Sequence, residues 1–284
     1  MGNPMIKPEK PSLFMDFAEY FELSLALTEE QKAAVFNIRY SVYCEEFGYE
    51  DPLAFRDRME SDEFDEVAIM CLVTHKPSGK AAGCVRLVMA DDHSRLPLEK
   101  HCKDTLDEEF FKHFKNLRGS MAEVSRLAVD SHFRRRRGES ESRFGNTETM
   151  HFDAREKRTF PLIAVSLFLA AAAVAELVDR KHLFAIMEPI LPAILRRTGF
   201  VVERVGEDFD YKGVRAPYYF DFDAAERTAP DELRPWFDAI KAQFARMLQP
   251  DGDRKVSRVL SPARTSGDYR ESLRIPQLLK AGNA

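Results

Sequence analysis

Apolar positions along this chain switch between a helical and an alternating period, and the switches mark its elements. Val35, Ile38 and Val42 recur at helical spacing. Thr28 just before them is a predicted N-cap, Gln31 completes a capping box with it, and Gly48 is the predicted stop. Two strand-like runs follow, over 67–74 and 82–89, joined by a turn at 76–80 that predicts a hairpin. Residues 94–116 read as helical and charged, and 121–129 as a strand. Residues 161–179 predict a buried helix, because Pro161 to Ala175 carries no charge. A strand at 182–187 comes next, then a helix opened by Glu188-Pro189 and closed by Gly199. Strands at 200–205 and 216–222 flank a turn at 210–213, and an amphipathic helix over 230–248 surrounds Trp236.

This order predicts an α/β (α+β) domain, a mixed central sheet with helices on both faces. Three regions are expected. Residues 1–28 form an N-terminal arm with Phe14, Phe17, Tyr20 and Phe21 as docking aromatics, 29–249 the domain, and 250–284 a flexible tail. Within the domain, 134–160 is polar and contains glycine, so it reads as a mobile loop, and the acidic 49–65 also reads as a loop.

Charge and cysteine content narrow the class. A net charge of -5 over 284 residues gives no overall basic field and argues against nucleic acid as a partner. The four cysteines form no CxxC pair, and residues 1–11 are polar and broken by proline, so the expected location is cytoplasmic, with free thiols. The uncharged run is shorter than the ~20 residues of a spanning helix, so no integral membrane segment is expected. The seven histidines lack ligand spacing, so no metal is expected. Cys44 lacks a local catalytic signature and reads as a small buried hydrophobe.

Three blocks then carry chemistry. They are Arg39-Tyr-Ser-Val-Tyr43 followed by Gly48-Tyr49-Glu50, Asp62-Glu-Phe-Asp65 followed by Gly83-Cys-Val-Arg86, and Glu123-Val-Ser-Arg126-Leu-Ala-Val129. In this order and at these approximate gaps they resemble the acyl-homoserine-lactone (autoinducer) synthases. That family's arginine and two aromatics fall on Arg39, Tyr43 and Tyr49, its paired aspartates on Asp62 and Asp65, its strand arginine on Arg86, and its Glu-x-x-Arg on Glu123 and Arg126. A closer resemblance, over about 30–222, is to the exosortase-system-associated acyltransferases of bacteria that make PEP-CTERM proteins. It rests on Pro97-Leu-Glu-Lys-His-Cys102, Phe133-Arg-Arg-Arg-Arg-Gly-Glu139 and Phe184-Ala-Ile-Met-Glu-Pro189. These groups, together with long-chain N-acyl amino acid synthases, imply a GNAT-like N-acyltransferase fold. Two departures stand out. Tyr49 takes the place of the tryptophan that autoinducer synthases prefer. The run after Val129 also lacks the second glycine of a coenzyme A phosphate loop, which favours a carrier-protein donor.

The resemblance implies roles beside ordinary structural ones. Glu123 is the expected proton acceptor or amine-positioning carboxylate, against a simple pairing with an arginine. Arg126 would face the other side of a regular strand, but the GNAT folds that the chain resembles usually carry a bulge on this strand, which would realign it. Leu127 and Val129 would contribute backbone N–H groups to an oxyanion site. Arg39 and Tyr43 share one helix face, and with Asp62 and Asp65 they would wall the acceptor site. Arg86 needs a buried partner among Asp62, Asp65 and Glu123. Glu188 either binds substrate or caps a helix. Arg134, Arg135, Arg136 and Arg137 would steer an acidic acyl carrier protein, or form a solvated loop. The expected activity is transfer of a medium-to-long acyl chain to the amine of a small molecule, an amino acid or derivative. The co-substrate would be acyl-ACP (a phosphopantetheine thioester) or acyl-CoA, with no tightly bound cofactor. The alternatives are an acyl-homoserine-lactone synthase using S-adenosylmethionine, a non-catalytic acyl- or carrier-binding regulator, and a protein-modifying acetyltransferase.

Overall fold

The computed structural model describes residues 13–91, 94–134, 154–197, 202–222 and 230–249. Its spine is a sheet in the order β1 (Phe21–Leu25), β2 (Ala68–His75), β3 (Ala81–Met89), β4 (Met121–Val129), β5 (His182–Met187), β8 (Val214–Asp221) and β6 (Glu203–Arg204). A further short strand, β7 (Phe209–Asp210), pairs with β8. Only β4 and β5 run parallel; the other pairs are antiparallel. The α/β expectation with a mixed sheet therefore holds.

The pleat sorts side chains onto two faces. On one face Cys71, Val73, Val85, Leu87 and Met89 pack under the helix Pro161–Leu177 (α6) in the largest apolar cluster. Gly83 permits that approach: a Cβ there would stand 3.0 Å from both the Ile163 and Leu167 side chains. The last helix among the described residues, Arg234–Leu248 (α7), contributes Trp236, Ile240 and Phe244 to the same cluster. The opposite face holds two smaller clusters. One lies under the helix Glu29–Tyr40 (α2) and includes Met70, Leu72 and Cys84. The other gathers Val88, Phe184 and Tyr219 with Leu98 of the short helix Pro97–His101 (α3) and with Phe110 and Phe111 of the short helix Glu108–Lys112 (α4). Arg86 sits between Cys84 and Val88 on that face, so a charged seam divides the two clusters.

The local punctuation follows the sequence in part. Thr28 and Gln31 form the predicted capping box: the Gln31 N–H donates to Thr28 Oγ1 at 3.2 Å, and the Thr28 N–H to Gln31 Oε1 at 3.0 Å. Beyond Tyr40 the helix widens into a π-helical turn, Ser41–Glu46, and ends at Gly48 with φ +62°. The Tyr49 and Glu50 N–H groups then both return to the Tyr43 carbonyl, at 2.7 and 3.1 Å.

Several expectations need correction. Part of the predicted arm is integral to the domain. Leu13–Tyr20 is a helix (α1), and β1 pairs with β2 from Phe21↔His75 to Leu25↔Cys71. Phe17 and Phe21 are buried in the main cluster, which is where those aromatics gain most. The single helix expected over 94–116 is two short ones, because Asp107 caps a new start by accepting from Phe110 N–H at 3.0 Å. Within the predicted mobile loop, Ala154–Thr159 is a helix (α5). The remainder of that loop beyond Arg134, and the tail from 250, lie outside the described residues.

Candidate active site

Strands β4 and β5 pair only from Met121↔His182 to Glu123↔Phe184, although β4 runs on to Val129 and β5 to Met187. Past Glu123 the two strands diverge. A cavity of about 720 Å³ fills the opening, lined by β4 from Glu123 to Val129 and by β5 from Ala185 to Met187. One set of walls is apolar, with Phe133, Phe160, Ala164, Phe168, Met187 and Leu191. Another set is polar and aromatic, with Tyr43, Tyr49, Glu50, His101, Tyr211 and Arg215.

Glu123 stands where the strands part. It is 1% exposed, and the Leu98 N–H donates to its Oε2 at 2.7 Å. Burial pushes its carboxyl up to about 8, and the Leu98 bond and the fields of Arg86 and Arg126 offset this only in part. It has no ion pair among the described residues. The alternative reading of Glu123, a simple pairing with an arginine, is therefore not met among the described residues, and Arg86 takes Asp62 and Asp65 as its partners.

Arg126, three residues on, lies in the predicted bulge. The register steps from Cys84↔Ala128 to Arg86↔Ser125, so β4 carries one extra residue, and Arg126 adopts φ +51°. The bulge lets Arg126 line the cavity as Glu123 does. Its Nη2 meets Asp62 Oδ2 at 2.9 Å, Glu60 Oε1 at 3.1 Å and Glu50 Oε1 at 3.4 Å. Burial works against its charge, but Glu60 and Asp62 outweigh that and raise its pKa further.

Behind Arg126 the seam is a closed ionic network. Arg39 Nε pairs with Glu60, and Arg39 Nη1 meets Asp65 Oδ1 at 2.6 Å. Arg86 Nη1 reaches Asp62 at 2.5 Å and Asp65 at 2.8 Å. Asp62 and Asp65 are themselves fixed by a capping box at the 3₁₀ turn Glu63–Val67. Burial raises the Asp62 pKa, yet Arg86 with Arg126 and Arg39 brings it below the usual carboxylate range. Arg39, Arg86, Asp62 and Asp65 do not line the cavity; they support its wall from behind. Arg39 Nη2 and Arg86 Nη2 are buried without a protein partner, which fits sites for bound water.

Tyr43, Tyr49, Leu127, Val129, Arg134 and Glu188 line the cavity. The Tyr43 hydroxyl donates to the Leu127 carbonyl at 2.8 Å, and burial pushes its phenol pKa up. Tyr49 stacks on Phe47 with ring centroids 5.2 Å apart. Arg134 donates to the Val129 carbonyl at 2.5 Å and pairs with Glu46, so it is tied at the rim. Glu188 Oε1 pairs with Arg215 Nη1 at 3.0 Å. Arg135, Arg136 and Arg137 lie outside the described residues. All four cysteines are free and buried, and burial raises their thiols, that of Cys84 to about 12, so Cys44 carries no sign of thiolate activation.

Glu50, Glu60, His101, Tyr211, Lys212 and Arg215 were not singled out from the sequence. Glu60 had one usable signal: three arginines on apolar elements need more carboxylates than two aspartates supply. The hairpin residues 211–215 carried none.

A family profile described as an acetyltransferase (GNAT) domain matches residues 38–141, which span α2 through β4. Among solved structures, FeeM, an N-acyl amino acid synthase from uncultured soil microbes, is 14% identical with a TM-score of 0.50, over 74% of this chain and 94% of its own. BjaI, a CoA-dependent acyl-homoserine lactone synthase solved with SAM and isopentyl-CoA, is 18% identical with a TM-score of 0.50, over 84% and 98%. The AHL synthase LasI is 16% identical with a TM-score of 0.48, over 72% and 90%. No curated protein sequence matches the chain. At these identities the structures establish the fold, which is GNAT-like. The GNAT acetyltransferase domain match over residues 38–141, the segment that carries Glu123 and Arg126, marks the chain as an acyltransferase.

Proposed function

We propose that the protein moves a medium-to-long acyl chain from a pantetheine thioester to the amine of a small molecule, an amino acid or derivative. The observation that carries this is the opening between β4 and β5, a cavity with an apolar lining and a carboxyl of raised pKa where the strands part. The apolar walls suit a long acyl chain. The polar walls suit an acceptor.

The reaction needs a neutral amine. An ammonium entering the cavity meets Glu123, whose ionised form is a stronger base than an ordinary glutamate and takes the proton. The amine lone pair then attacks the thioester carbonyl carbon and pushes an electron pair onto its oxygen. Backbone N–H groups of the β4 segment Leu127–Val129 are the proposed donors to that oxyanion. Collapse re-forms the C=O bond and breaks the C–S bond, and the proton that the attacking nitrogen sheds passes to the departing thiolate, which leaves as the thiol. Arg126, fixed by Glu60 and Asp62, holds the bulge that aims this segment.

Acyl carrier protein is the favoured donor, since the run after Val129 lacks the phosphate-loop glycine, and acyl-CoA is the alternative. The resemblance to the exosortase-associated group, and with it a cytoplasmic location, belongs to this reading. Mass spectrometry of lipid extracts from a bacterium expressing the wild type or Glu123→Gln tests it. A new N-acyl amine confined to the wild type is the expected result, and its mass gives chain and acceptor. A lactone formed from S-adenosylmethionine would replace this reading with an autoinducer synthase.

A further inference from the structure

The segment joining β7 to β8 brings Tyr211, Lys212 and Arg215 to the cavity wall. The mechanism above uses none of them. The Lys212 and Arg215 side chains are 24% and 14% exposed, so both cations are largely withdrawn from water. Cations so placed need anions. Their present partners are incomplete ones. Lys212 pairs with Glu50, which Arg126 also contacts. Arg215 pairs with Glu188, whose side chain is 47% exposed, and its Nη2 donates to the Tyr49 hydroxyl over 3.3 Å. Burial pulls the Lys212 ammonium below the ordinary lysine range.

We infer that Lys212 and Arg215 form a carboxylate-binding site, so that the cavity takes an amine bearing an acid group. This rests on the N-acyl transfer reading and sharpens its acceptor. The guanidinium of Arg215 is the fork that a carboxylate engages with two hydrogen bonds, by exchanging the long contact to Tyr49 and sharing the one to Glu188. Lys212 supplies a second charge, because Glu50 keeps Arg126 when Lys212 turns to the ligand. Tyr49, over which Arg215 already lies at 5.6 Å, and Tyr211 provide flat walls on either side. Glu188, which shares Arg215 with the ligand, is placed to meet the acceptor's ammonium before Glu123 removes its proton.

The test pairs each common L-amino acid with its carboxamide, which keeps the amine and removes the charge. Binding is read by calorimetry and acylation by mass spectrometry with a long-chain acyl thioester. For the wild type, the amino acid that binds best is expected to bind at least tenfold tighter than its carboxamide, and to be acylated with a correspondingly higher kcat/KM. Arg215→Gln and Lys212→Met should lose that preference while retaining carboxamide binding, and Arg215→Lys should restore part of it. Carboxamide binding by the variants also reports that they are folded. Equal handling of acid and carboxamide by the wild type overturns the carboxylate site, whatever the variants do. Preferred binding of the acid without acylation upholds this site and removes the transfer reading. Acylation without preference does the reverse, and failure of both binding and acylation removes both.

Discussion

Glu123 and Arg126 are three residues apart on one strand, yet they occupy opposite electrostatic regimes. Arg126 belongs to a buried network with Arg39 and Arg86, in which each arginine meets at least two carboxylates. Glu123 is withdrawn further from water than Arg126, 1% against 17% exposed, and has one backbone N–H for company. In the first setting burial is offset by opposite charge, and the charges stay fixed across the working pH range. In the second nothing fully offsets it, and the group becomes titratable near neutrality. A scaffold needs the first behaviour and an acid–base catalyst needs the second. The bulge at Arg126 separates them: it turns a strand arginine into the network while Glu123 stays at the parting of the strands.

Breaking the network should give the largest effect. Arg39→Leu leaves Glu60 and Asp65 short of a buried counter-charge, and loss of one partner of such a pair costs about 3–5 kcal/mol. Urea denaturation measures this directly. A loss below about 1 kcal/mol would mean the network is hydrated enough for water to replace the guanidinium.

Next comes the titratable side. Glu123→Gln keeps a side-chain oxygen for the Leu98 N–H but cannot accept a proton. Acyl transfer should fall about a hundredfold or more, the usual share of a positioned acid–base group, with stability intact. Wild-type kcat/KM should rise with pH and level off above about pH 8, where the carboxyl is ionised. A flat profile in the wild type would transfer proton removal to another group or to solvent.

The same substitution sharpens the comparison through folding. The Glu123 pKa is raised from 4.5 to about 8 in the folded chain. Below the lower value both states are protonated and the site costs nothing. Between the two values the unfolded chain ionises while the folded one holds its proton, so stability falls as pH rises. The slope is at most about 1.4 kcal/mol per pH unit for one proton. Above the upper value the loss is complete and flat. Glu123→Gln should remove this slope and melt above the wild type at pH 8, with little difference at pH 4.5. Parallel curves would show that Glu123 is ionised in the folded chain throughout.

How far these two regimes could be read from sequence depends on what identified each part. The strands at 121–129 and 182–187 match the observed bounds, although Glu123, Ser125 and Arg126 interrupt the apolar pattern of the first. The capping box at Thr28 uses residue types with one job at that spacing. The bulge was expected only from the resemblance to GNAT folds, which usually carry one on this strand; the spacing of Glu123 and Arg126 by itself put them on opposite faces. Glu60 was not legible, since in the acidic stretch 49–65 nothing local separates a buried carboxylate from a solvated one; only the three-dimensional demand of three arginines selects it. β1 was missed because five residues are too few to show a period, and four of them are buried. Residues 210–213 are a turn by composition, and only the pairing of β7 with β8 sets Tyr211 and Lys212, with Arg215 on β8, at the cavity.

Tyr43 joins the two regimes, and its substitution should have the smallest effect of the set. It sits in the π-helical turn beside the network, with Arg126 over its ring at 5.7 Å, while its hydroxyl donates to the Leu127 carbonyl beyond the bulge. Tyr43→Phe keeps the ring and its contact with Arg126 and removes only the hydroxyl. The carbonyl left behind faces a cavity that admits water, so the cost should be about 1 kcal/mol. If the hydroxyl matters chiefly for aiming the Leu127–Val129 backbone, kcat should drop several-fold with KM unchanged, because an oxyanion exists only along the reaction path. If it matters chiefly for binding the acceptor, KM should rise and kcat hold. The ratio of those two changes reports whether the network acts on catalysis through the bulge or stops at holding it in place.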